Sequence, residues 1–194
     1  NASVGSAQIA DSLISGKTAL GATPADTDEL LISDAGTLKR VDYSYLKSAN
    51  TPLFEAGVTT EQNPSDNVFT KINFDKEIFD TNGAYDTSNK RFTVPSGQAG
   101  KYFIYSNTTA GSNTNSDTID VKLAIYKNGS AYKRGYQDAR NNNIRYHQVS
   151  VAAVMQLAVG DYLEMFIQVD PSSGTVEVRN QNDETTFGGY KIIE

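Results

Sequence analysis

Beyond residue 68, apolar residues recur at every second position in short runs, and turn residues interrupt them at regular intervals. Val121, Leu123 and Ile125 alternate with Lys122, Ala124 and Tyr126, and Leu163, Met165, Ile167 and Val169 share one face of another run. A period of two sends successive side chains to opposite faces, so each run predicts a strand with one face buried. Lys127-Asn128-Gly129-Ser130 leads the first run into Ala131–Arg134 as a tight hairpin, since Asn-Gly tolerates the positive φ angles of a two-residue turn. Further strands are predicted from Val149, from Tyr162 to Val169 after the Gly160-Asp161 turn, from Thr175 to Asn180, and from Phe187 to Ile193. Short strands at this spacing predict a sandwich or barrel.

The first fifty residues follow another pattern. Ala7, Ile9, Ala10, Leu13 and Ile14 lie near helical spacing and predict a short helix that Gly16 could end. Leu30-Leu31-Ile32-Ser33, a bend at Asp34-Ala35-Gly36, and Thr37 to Val41 predict a small hairpin. Asp42 stands at an N-cap position before a last short helix, Tyr43 to Lys47. None of these pieces is stable alone in water, so they must pack on something. The expected organisation is a segment 1–50, a turn-rich linker 51–67 with a first strand near Phe54 to Thr59, and a head 68–194.

Within the head, Phe74, Asp80, Tyr85, Phe92, Gly100 and Tyr102 form a spaced series with corners at Asn82-Gly83 and Pro95-Ser96-Gly97. Their spacing resembles the signature of C1q/TNF-like domains, with Gly100 and Tyr102 two residues late and Ile104 and Ser106 where aromatics are expected. Leu123 to Gly129 resembles that family's Lys-Asn-Gly strand, Leu157 to Leu163 its Gly-Asp turn, and Thr186-Phe187-Gly188-Gly189-Tyr190 its closing strand. The resemblance implies a mostly β fold, a ten-stranded jelly-roll sandwich, assembling as a homotrimer through an apolar three-fold interface and binding other molecules without catalysis. It also makes Ca²⁺ near the apex conceivable, with oxygen ligands from the loops Asn113 to Asp120, Gln137 to Asn143 and Asn180 to Glu184; otherwise no cofactor is expected.

Thr27 to Asp34 and Leu38 to Leu46 are similar to a segment of bacteriophage fibre and tail-associated proteins. Together the two resemblances imply a virion fibre-like protein. Its residues 1–50 would be an anchor and trimerisation segment built on Leu30, Leu31, Ile32, Leu38 and Val41. Its head would bind a host-surface receptor, a glycan being the expected class. A capsid decoration or fibre-shaft protein is the first alternative, and a secreted C1q-like lectin the second.

Composition narrows the chemistry. The chain of 194 residues carries a net charge of −6 with scattered basic residues, which argues against a nucleic-acid partner. It has no cysteine, and no apolar run reaches the ~20 residues of a membrane-spanning helix. It opens on Asn1 and not Met, as a processed form or a fragment would. The lone His147 lacks a nucleophile motif and is expected at a strand edge or interface. Asp75/Glu77/Asp80, Asp117/Asp120, Asp183/Glu184 and Glu164 are the carboxylates that acid–base chemistry would need, but they sit at turns or on alternating faces, so no enzyme is predicted. Tyr132, Tyr136, Arg140, Arg145 and Tyr146 combine aromatic platforms with planar donors and are the expected ligand residues, Tyr132 and Tyr136 being equally suited to a trimer interface.

Overall fold

The computed structural model describes residues 16–46 and 51–192, without the side chain of Asn182. The chain forms two compact units, Asn1–Ser48 and Ala49–Glu194.

In the first unit, β1 (Glu29–Asp34) and β2 (Thr37–Asp42) make an antiparallel hairpin in which Leu31 faces Arg40 and Leu30 faces Val41. A 3-10 turn, Tyr43–Tyr45, follows directly and is tied back by the Tyr43 amide to the Asp28 carbonyl at 2.7 Å. This turn stands where a short helix was expected; Asp42 occupies its N-cap without donating or accepting a capping bond. The helix predicted over 7–14 lies outside the described residues.

The second unit is a sandwich of two antiparallel sheets. Its strands are β3 (Leu53–Gly57), β4 (Thr70–Lys71), β5 (Lys76–Asp80), β6 (Tyr85–Asp86), β7 (Arg91–Thr93), β8 (Gly100–Ser112), β9 (Thr118–Lys127), β10 (Ser130–Asp138), β11 (Tyr146–Leu157), β12 (Tyr162–Pro171), β13 (Val176–Val178) and β14 (Thr186–Lys191). The first sheet runs β11-β8-β14-β3-β5 with β13 on β8, and the second runs β10-β9-β12-β7-β6 with β4 on β12. Two five-stranded sheets in this order are the expected jelly roll, with β4 and β13 as short additions.

The alternation acts as predicted. Val121, Leu123 and Ile125 of β9 face inward with Leu163, Met165, Ile167 and Val169 of β12. Asn128 and Gly129 both take positive φ, 51° and 78°, in the turn from β9 to β10. That turn docks on the Gly160-Asp161 turn. The Asn128 amide side chain donates to Asp161 at 2.7 Å, the Tyr162 amide donates to Asn128 Oδ1 at 2.9 Å, and Lys127 lies 2.8 Å from the same carboxylate. Lys127 and these donors hold the Asp161 carboxyl down at about 2. Two motif fragments 33 residues apart are thus one clasp.

The expected boundary at 68 is corrected. β3 is an interior strand hydrogen-bonded to β14 on one side and β5 on the other, so the head begins with it. Residues 58–67 are not a free linker either. Gln62 exchanges backbone bonds with Val178, its side chain pairs with both the amide and carbonyl of Asn73, and Asn63 donates to the Val176 carbonyl at 2.9 Å. Polar turn residues here satisfy backbone groups of an ordered wall.

The core is centred on Phe54. Its ring stacks on Phe92 at 4.5 Å and on Tyr85 at 5.5 Å, and meets Phe187 edge-on at 5.1 Å. Phe74 and Tyr102 close the cluster, and the Tyr85 hydroxyl donates to the Phe74 carbonyl at 2.8 Å. Asp80 receives the Tyr85 amide at 2.7 Å and the Asn82 amide at 3.1 Å, which fixes the corner between β5 and β6. Phe54→Ala removes the ring that touches both sheets and is expected to cost about 3–5 kcal/mol, read from chemical denaturation; Phe92→Leu, which keeps most of the volume, should cost less than half as much.

Candidate functional site

Two surfaces of the sandwich carry chemistry, and neither is a cleft. The first is the outer face of the β11-β8-β14-β3-β5 sheet. Because Tyr102, Ile104 and Ser106 of β8 point inward, Phe103 and Tyr105 point out. Register brings Tyr190 and Val154 beside Phe103, and Gly188 and Ala152 beside Tyr105. Leu53 lies next to Tyr190, and Phe79 opposite Glu55. Phe103 is 5.6 Å from the Tyr190 ring and 6.1 Å from that of Tyr105. Val154 is 56% exposed. The Tyr105 hydroxyl donates to the Glu55 carboxylate, and burial together with that bond raises its pKa. A Cβ at Gly188 would lie 2.6 Å from the Tyr105 hydroxyl oxygen, so this strand position must be glycine for the ring to lie flat across it. The result is an aromatic face with one polar pair, its rings half-buried.

The second surface holds the expected ligand residues, which the fold brings together only in part. Tyr136 and Arg140 meet: the guanidinium is 3.2 Å from the Tyr136 hydroxyl and 3.1 Å from Asp120. Asp120 is 1% exposed and also bonds Lys122 at 3.0 Å, so Arg140 serves a buried carboxylate as well as the surface. Arg140 lines a shallow depression with Asp138, Ala139, Asn141, Asn142 and Ile144 in the loop after β10. Arg145 and Tyr146 belong to the other sheet. The Tyr146 ring lies between the guanidinium groups of Arg145, at 4.7 Å, and Arg179, at 4.6 Å, and its hydroxyl donates to Glu177. Tyr132 stands apart in a bulge of β10. Tyr132 and Tyr136 are on an exposed edge strand of the second sheet, away from the aromatic face on the first.

Sequence reasoning missed Arg179 and Glu177, and it named Asp120 only as a candidate acid, not as the partner of Arg140. Only cross-strand register, Tyr146 and Glu177 both opposite Gly111, unites the first two with Tyr146, and no local spacing encodes that.

Apart from Glu77, the carboxylates proposed for acid–base work each have a partner. Asp75 accepts from the Thr59 amide and hydroxyl at 2.8 and 2.6 Å, Asp117 from Ser172 and Ser173 at 3.1 and 2.8 Å, and Asp183 pairs with Lys76 at 2.7 Å. Glu164 pairs with Lys71, and Glu184 lies 3.2 Å from Arg179. The cation-ligand loops behave likewise. Asn113 accepts the Thr175 amide and Asp138 the Arg140 amide, so their oxygens address separate protein donors; among the described residues no three His, Asp or Glu side chains gather in a cation's geometry. The residues present do not fit a Ca²⁺ site there.

His147 lies on β11, an edge strand of the first sheet, as expected, but its side chain turns inward. It faces the sandwich interior opposite Ala110, buried, with Nε2 unpartnered. Burial lowers its pKa, outweighing the Thr118 backbone and the charge of Asp120.

A sandwich of two antiparallel sheets in this strand order defines the class of β jelly rolls. The chain belongs to the C1q domain family, which matches residues 53–192. The globular domain of zebrafish complement 1qA superposes with a TM-score of 0.53 at 15% identity, covering 74% of this chain and 99% of that one. Murine APRIL superposes with the same TM-score at 14% identity, covering 72% of this chain and 98% of its own. No curated protein sequence matches. Domains of this family commonly form trimers, and they are generally binding or signalling modules without enzymatic activity.

The histidine gives a pH signature. A folded pKa below the ordinary ~6.5 means that the unfolded chain takes up the proton first, so His147 contributes full stability above about pH 6.5 and loses it as pH falls toward the folded value. Denaturation midpoints measured from pH 7.5 to 5 should fall for the native chain and stay flatter for His147→Gln. The Asp groups with lowered pKa, Asp161 first among them, add their own loss only below about pH 4.

Proposed function

We propose that this chain is a virion fibre-like protein: a homotrimer whose C1q-type head projects from the particle and binds a host-surface glycan, with residues 1–50 as anchor and trimerisation segment. The observation that carries the reading is the aromatic outer face of Phe103, Tyr105, Tyr190, Leu53 and Val154. It is too apolar to stay in water and lies on one sheet of a fold whose relatives commonly form trimers. The particle and the host rest on the resemblance of residues 27–46 to phage fibre segments. The glycan rests on tyrosine rings beside guanidinium groups at Tyr136/Arg140 and at Arg145/Tyr146/Arg179, which suit the faces and hydroxyls of sugars. Shallow sites of this kind bind weakly one at a time, and three on one axis supply avidity.

Light scattering should give a trimeric mass for the whole chain and a monomer for Phe103→Glu with Tyr190→Glu; a native monomer would end the reading. The purified trimer should block adsorption of the parent particle to its host. Arg145→Ala and Tyr136→Ala should each weaken that block by roughly ten-fold without changing the mass, as loss of one contact residue does.

A further inference from the structure

The hairpin β1–β2 is apolar on both faces. Directly opposed residues share a face, so Leu30, Val41 and Ile32 line one side, with Lys39 and Asp34 toward the tip. Leu31, Arg40, Leu38 and Glu29 lie on the other. Leu31 is 73% and Leu38 70% exposed. Two strands alone do not hold such a structure in water, and among the described residues no further strand pairs with either outer edge.

We infer that the occupant of this surface is the same hairpin from two further copies of the chain, closed around a three-fold axis with Leu30, Ile32 and Val41 inward. This rests on the trimeric reading above. Rotation about an axis along the strands keeps every residue at its own height and sets β2 of one copy beside β1 of the next. The two are antiparallel, so the new pair repeats the register that already joins β1 to β2. Each open edge then finds N–H and C=O groups that it lacks within its own hairpin.

The charges fit this arrangement. Within one hairpin, Arg40 pairs with Glu29 and Lys39 with Asp34. The repeated register puts Arg40 on the diagonal to Glu29 of the next copy and Lys39 on the diagonal to its Asp34, and it sets Asp42 opposite that Glu29, the one like-charge pair, as each hairpin already does within itself. Leu31 and Leu38 remain on the outside, free for the anchoring contact.

The cost of bringing the hairpins together is small. The seven residues 46–52 reach at most about 25 Å when extended, so a trimeric head holds its three hairpins at millimolar effective concentration.

The test is amide hydrogen exchange over residues 29–42 of the full-length chain, with its mass followed by light scattering. The expected result is a trimer whose β1 and β2 amides exchange at least about a hundred-fold more slowly than an open hairpin's. Ile32→Lys, on the inward face, should abolish that protection and leave the head trimeric, whereas Leu31→Lys, on the outward face, should leave it intact. A trimer with unprotected β1 and β2 overturns the hairpin assembly alone, as does protection that Leu31→Lys removes and Ile32→Lys spares. A monomer overturns the trimeric reading and this inference together.

Discussion

The sandwich is pinned by the contact between Phe54 and Phe92. Phe54 stands on β3 of one sheet and Phe92 on β7 of the other, and their rings lie nearly parallel, 7° apart with centroids 4.5 Å apart. Each ring buries a large apolar area, and stacking adds about 0.5–1.5 kcal/mol beyond it. The stack also fixes distance and angle between the sheets. Phe187 meets Phe54 edge-on from β14, and Tyr85 completes the packing while anchoring Phe74 through its hydroxyl. With this knot at one end, the long strands β8, β9, β11 and β12 run outward from a set geometry, and their outer faces and loops are what remain for function.

That division is most explicit along β8. Its inward residues change from Tyr102 and Ile104 near the knot to Ser106, Thr108, Ala110 and Ser112 at the far end, all buried. Large side chains fill the sandwich where the rings hold it, and small ones let the sheets approach where β13 and the loops close it. The outward residues follow their own rule, with Phe103 and Tyr105 gathered where β14 offers Gly188 and Tyr190. Gly188 has no purpose in the inner core; it exists to let Tyr105 lie over the strand and reach Glu55. A strand built this way cannot slip by one residue, because the slip would send aromatics into the narrow end and serines outward.

Much of this was legible in the chain. Period-two alternation located β9 and β12, Asn128-Gly129 located the hairpin of β9 and β10, and the series Phe74, Asp80, Tyr85, Phe92, Gly100, Tyr102 and Phe187 marked the aromatic knot and its corners. What escaped was whatever depends on which strands become neighbours. β3 reads as a short apolar run in a polar stretch, and nothing nearby says that it pairs with β14, some 130 residues later. Tyr146 and Arg145 gave half a site whose other half, Arg179 and Glu177, enters from β13. His147 was expected at a strand edge, and it does lie on the edge strand β11, yet its side chain faces the interior. The face was predictable from the period; the environment on that face was not.

The distribution of charge follows the same economy of local contacts. Its acids are spent locally: Asp161 on a turn clasp, Asp120 on Lys122 and Arg140, Asp117 on two serines, Asp75 on Thr59. A carboxylate held by several donors has a lowered pKa and no proton to give near neutrality, which is the reverse of what a general acid needs. Of these bonds, that of Asp120 holds Arg140 beside Tyr136. Arg140 shows the trade directly: one nitrogen of its guanidinium answers both buried Asp120 and the Tyr136 hydroxyl, so the electrostatics that hold the sandwich end also fix the orientation of the surface donor. A rigid, pre-oriented donor loses little entropy on binding, and that is where a shallow surface site gains its affinity.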